Sequence, residues 1–135
     1  MTTPITPPRL RTALLALHRA LIERERRDYE KLHGRVGAND FLKLLMGDDA
    51  FAWLAPFTRL IVRLDELDDA EDENVEPDVR ATLAAIRELL SLHPDRSEFH
   101  RRYAQRVDQD PDVAAAHGIA VTELRQAAPR PPAAR

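Results

Sequence analysis

The strongest apolar pattern in the chain is FAWLAPFTRLIVRLDEL, residues 51–67, where Trp53, Phe57, Leu60, Ile61, Leu64 and Leu67 recur at three- and four-residue intervals. This spacing gathers them on one side of an α-helix, whose period is about 3.6 residues. So broad a stripe needs neighbours on several sides, which makes this segment the expected centre of the fold. Asp49 is the expected N-cap. Pro56 lies inside the same pattern, so the helix must either kink there or restart with Pro56 in its first turn.

The other elements follow from the same reading. Leu10, Leu14, Leu17, Leu21 and Leu32 form a stripe that predicts a long helix over residues 8–33, stopped by Gly34. A brief helix is expected over 39–46, capped by Asn39, with Phe41, Leu42 and Leu45 turned inward and Gly47 ending it. Pro77 suits the first position of a further helix whose stripe is Val79, Leu83, Ile86 and Leu90, ended by Pro94. Asp95 and Glu98 read as a capping box for a helix carrying Phe99, Tyr103 and Val107. A new start follows at Asp110 and Pro111, then a stop at Gly118 and a last short helix over 122–127. No segment alternates with period two. The expected fold is therefore all-α, a single-domain helical bundle of about four longer helices plus short accessory helices. It spans residues 9–128, between a loose leader (1–8) and a disordered tail (129–135).

Composition narrows the chemistry. At 135 residues the chain has the usual size of one domain. It contains no cysteine, which removes disulfides, thiolate nucleophiles and thiolate metal sites. With 20 basic and 23 acidic residues its net charge is -3, so it carries no general attraction to nucleic acid or anionic membranes. No apolar run approaches the roughly 20 residues of a membrane helix, and no signal-like segment opens the chain. A cytoplasmic location is expected. Between Asp65 and Asp78 nine carboxylates occur with no basic residue, and 68–76 is read as a solvated acidic connector.

The polar residues that interrupt the apolar stripes are the candidate functional residues. Glu25 and Asp28 fall on the stripe of the first helix, with His18, Ile22 and Tyr29 along its flank. Carboxylates so placed cost several kcal/mol unless paired or coordinated. Carboxylate-bridged di-iron bundles use inward Glu and Glu-x-x-His pairs, and Glu30 with His33 has that spacing. That pair faces away from the stripe, however, and no second one exists. The structural alternative pairs Glu25 with an Arg or Tyr of a neighbouring helix. Asp65 lies on the edge of the central stripe, and antiparallel packing of the two helices would bring it near His18. No nucleophile-and-base spacing, Gly-x-Ser-x-Gly or Gly-rich phosphate loop is present.

Toward the C-terminus, Ala114, Gly118, Ile119 and Leu124 match the small, Gly and apolar positions of a helix-turn-helix. The would-be recognition segment TELRQAA offers little to read a base edge, and DNA binding is not expected of an acidic chain.

Taken together, LHRALIERERRDYEKLHGR, DDAFAWLAPFTRLIVRLDEL and YAQRVDQDPDVAAAHG resemble a group of small uncharacterised bacterial all-helical proteins. The resemblance carries no activity. It implies that DPDVAAAHG belongs to the body of the bundle, so that His117 joins His18, Glu25, Tyr29 and Asp65 as polar residues able to meet inside it. The leading expectation is a non-enzymatic interaction protein, self-associating through Trp53, Phe57 and Phe51 and needing no cofactor. The alternatives are a bundle binding iron, zinc or a small ligand through His18, Glu25, Asp65 and His117, and a DNA-binding regulator.

Overall fold

The computed structural model describes residues 7–69 and 76–127. Among these, seven α-helices and one 3₁₀ turn follow one another, and no strand occurs: α1 (Pro8–His33), α2 (Ala38–Gly47), α3 (Asp49–Ala52), α4 (Ala55–Asp69), α5 (Glu76–Leu89), the turn Pro94–Arg96, α6 (Glu98–Gln109) and α7 (Pro111–Ala127). The all-α bundle is thus as expected. The leader up to residue 6, most of the acidic connector (70–75) and the tail from 128 lie outside the described residues.

Helix α1 is the spine. Pro8 occupies its first position, where a missing N–H costs nothing, and Gly34 ends it at φ 86°, a conformation that favours glycine. Helix α4 packs antiparallel to it, with Arg11 opposite Asp65 and His18 opposite Thr58. Helix α7 starts beside Arg24 and Arg27 and makes the most extensive packing on α1. Leu10, Leu14, Leu17 and Leu21 of α1 meet Phe57, Ile61 and Leu64 of α4, Leu83 and Ile86 of α5, Phe99 and Tyr103 of α6, and Val113, Ala120 and Leu124 of α7 in one continuous core.

Several expectations are corrected. Leu32 is not a core residue; it is 82% exposed. The α1 stripe loses its cover after Glu25, because α7 begins beside Arg24 and Arg27 and runs back from there. The central pattern is divided between α3 and α4, with Trp53 and Leu54 in the turn between them and Pro56 in the first turn of α4, the second of the two outcomes that Pro56 allowed. The cap of α3 is Asp48 rather than Asp49, its carboxylate accepting the Ala50 N–H at 2.8 Å. Gly37, not Asn39, precedes α2, and Leu42 points outward. Asp95 lies within the 3₁₀ turn and caps nothing; Ser97 caps α6 by accepting the His100 N–H at 3.1 Å. Asp68 and Asp69 continue α4, and Glu76 opens α5, so both ends of the acidic run are helical.

The largest correction concerns Gly118. Helix α7 passes through it without interruption, and Gly34 alone among the described residues has positive φ. The turn of a helix-turn-helix is therefore missing. Nothing in the local sequence forces a stop: the flanking alanines favour continuation, and one interior glycine costs only about 1 kcal/mol.

Candidate functional site

The polar residues of the α1 stripe gather where the middle of α1 meets the end of α6 and the start of α7. Glu25 is only 5% exposed and accepts hydrogen bonds from Nε and Nη2 of Arg106 on α6. Asp110, equally buried, has two tasks. Its Oδ1 accepts the N–H groups of Asp112 and Val113 at 2.9 and 3.2 Å and so caps α7, while its Oδ2 accepts from Arg27 at 2.8 Å and faces Arg24 at 3.6 Å. Arg24 in turn donates to Asp28 at 3.1 Å. Burial alone would raise the Asp110 pKa. The two backbone donors and the charges of Arg27 and Arg24 outweigh it and hold the carboxyl below its ordinary value. Each anion in this corner has a cation and directed donors, which is the condition for burying it.

The five candidate residues are not brought together. His18 Nε2 lies 3.0 Å from Thr58 Oγ1 and its ring sits 5.5 Å from Phe57, with burial pushing its pKa down. Asp65 binds Arg11 at 2.5 Å and not His18. The antiparallel register explains this: Arg11 and His18 are two turns apart on one face, and α4 sets Asp65 against the first and Thr58 against the second. Tyr29 packs against His33 and Phe51 with tilted rings, at centroid distances of 4.3 and 6.0 Å. His117 Nδ1 is 2.5 Å from the Tyr103 hydroxyl. Glu30 accepts the Val36 N–H at 2.9 Å and closes the loop after α1, rather than serving as half of a Glu-x-x-His pair. Among the described residues no three His, Asp or Glu side chains are grouped as a metal ion would need.

Besides a hollow at Glu76, Pro77, Arg80 and Ala81, three concave surfaces stand out among the described residues. One, of about 310 Å³, is a cleft bordered by Glu25, Asp28, Tyr29, His33, Asp48 and Arg102. A second, of about 400 Å³, lies between α1, α2 and the α3–α4 turn, with Ile22, Leu45, Met46, Phe51 and Leu54 on its walls. The third, of about 380 Å³, opens between the end of α5 and the last turns of α7. Sequence reasoning singled out His18 and Phe51 in the second and His117 in the third, but did not place them in these hollows, whose remaining residues belong to elements distant in the chain. The amphipathic pattern of α2 was a usable signal, since a ten-residue helix with Phe41, Leu42, Leu44, Leu45 and Met46 buries none of them.

No protein-family model matches the chain, and no curated protein or solved structure is significantly similar to it.

Proposed function

We propose that this is a small non-enzymatic interaction protein that associates with a second copy of itself through α2. The observation that carries this reading is the apolar ridge of that helix. Leu42 is 57% and Met46 82% exposed, one turn apart, beside the groove walled by Ile22, Phe51 and Leu54, and no residue of α2 is buried. A ridge next to a groove is the arrangement an isologous contact needs, because each copy offers both halves. Phe51, Trp53 and Phe57, the aromatic residues that first suggested self-association, are spent on the core of the single chain.

The magnitudes favour a weak, reversible pair. Covering the exposed parts of these two side chains from each copy contributes about 4–8 kcal/mol, against an association cost of about 4–15 kcal/mol. The non-enzymatic part of the reading is supported by the partners already held by Glu25, Asp28, Asp65 and Asp110 within the chain. No described helix is long and apolar enough to cross a membrane. A bacterial setting, which rests on the resemblance given above, and a cytoplasmic one belong to the same proposal.

Sedimentation velocity over a concentration series reaching the millimolar range tests it. The expected result is a mass rising toward twice the monomer in the wild type and staying monomeric in Met46→Glu, with unchanged helical circular dichroism. A wild type that stays monomeric at the highest concentration overturns self-association.

A further inference from the structure

We infer that the pocket between the end of α5 and the last turns of α7 binds a small organic carboxylate with an apolar body. Its polar lining consists of Arg87, Ser91, His117 and Arg125, and no Asp or Glu contributes to it. Arg87 and Ser91 stand one turn apart at the close of α5, while His117, Val121 and Arg125 recur every four residues along one face of α7. Two arginines thus line the same opening from different helices. Neither takes part in an ion pair among the described residues, unlike the nine arginines that do.

The two uncharged groups strengthen the case. The Ser91 hydroxyl oxygen is buried with no hydrogen-bond partner among the described residues, a state that costs about 1–3 kcal/mol. Tyr103 is fully buried, and its hydroxyl lies 2.5 Å from Nδ1 of His117; in the tautomer in which the phenol donates, the neutral imidazole carries its own proton on Nε2. The two arginines, with no carboxylate beside them, make a lining that suits an anion and repels a metal ion. Leu90, Leu92 and Val121 supply apolar walls, and a volume near 380 Å³ falls within the range of small-molecule sites, about 300–1,000 Å³. A bare inorganic anion would leave those walls uncovered; a medium-chain carboxylate covers them while its headgroup meets both arginines.

The probe is octanoate, titrated into the full chain and followed by calorimetry and by amide chemical shifts. Saturable binding is expected, with the largest shifts at Ser91, His117 and Arg125. Affinity should fall about tenfold or more in Arg87→Gln/Arg125→Gln, where both side chains are exposed and form no ion pair among the described residues, so that folding is preserved. Ser91→Ala should weaken binding several-fold. Met46→Glu should bind octanoate like the wild type, which separates this site from the α2 surface. Equal binding of 1-octanol would reduce the pocket to an apolar groove and overturn the carboxylate assignment. Equal binding of inorganic phosphate would overturn the apolar half, and shifts unchanged in the double arginine variant, or no saturation, would overturn the whole.

Discussion

Arg106 of α6 reaches Glu25 of α1 with two of its nitrogens and neutralises the one carboxylate that the core stripe of α1 buries. The partners are 81 residues apart, and the pair joins the middle of the spine to the end of α6. It accounts for the most conspicuous irregularity in the sequence without a metal.

Breaking that pair from one side should be costly. Glu25→Ala or Arg106→Ala leaves an uncompensated buried charge and is expected to remove about 3–5 kcal/mol, a large share of the roughly 5–15 kcal/mol of a typical domain. Glu25→Leu/Arg106→Met should recover most of the loss. Urea unfolding followed by the fluorescence of Trp53, the only tryptophan, reads both results. Single variants within about 1 kcal/mol of wild type would show that the pair contributes little.

Asp110 separates capping from charge pairing. Asp110→Asn keeps a good cap acceptor but removes the charge facing Arg24 and Arg27, whereas Asp110→Ala also loses the cap, a further loss of about 1 kcal/mol. The pH dependence has a definite sign. Because the folded pKa lies below the ordinary 3.8, the contribution is complete above that value and is lost as pH falls through the lower folded one. Urea midpoints from neutrality down to about pH 2 should therefore fall less steeply in Asp110→Asn than in the wild type. Parallel acid limbs would show that the carboxyl is not depressed in the folded chain.

Gly118 lies inside α7, and a Cβ there meets nothing within 4 Å. Gly118→Ala should therefore stabilise the protein by about 0.5–1 kcal/mol, through the lost freedom of the unfolded chain and better helix propensity. Thermal unfolding measures it. Destabilisation would instead mean that the backbone turns at this position, as the helix-turn-helix pattern required.

Most of the fold was legible because helices are local. The α1, α4 and α5 stripes, Gly34 as a stop, and the starts at Pro77 and Asp110 followed from spacing and capping chemistry within a few residues. The errors arose where two local signals competed. Gly118 carries the stop signal of a glycine, yet the apolar face on both sides of it packs on α1, and that packing outweighs one glycine. Leu32 continues the period of its helix, but no helix extends far enough to cover it.

Chain order and pattern alone thus determined an all-helical bundle, the stripes that build its core, and the anomaly of Glu25 and Asp28 among leucines. They could not say which arginine answers each acid, since eighteen arginines are candidates and pairing depends on helix register and crossing. Only the tertiary structure gave Glu25 to Arg106, Asp65 to Arg11 and Asp110 to Arg24 and Arg27. It also decided which apolar residues stay uncovered, Leu42 and Met46 of α2 among them, and which polar residues converge between α5 and α7. The physical reason is one of range: helix formation is settled by neighbours three and four positions apart, whereas a site is made by side chains that meet only after the helices have packed.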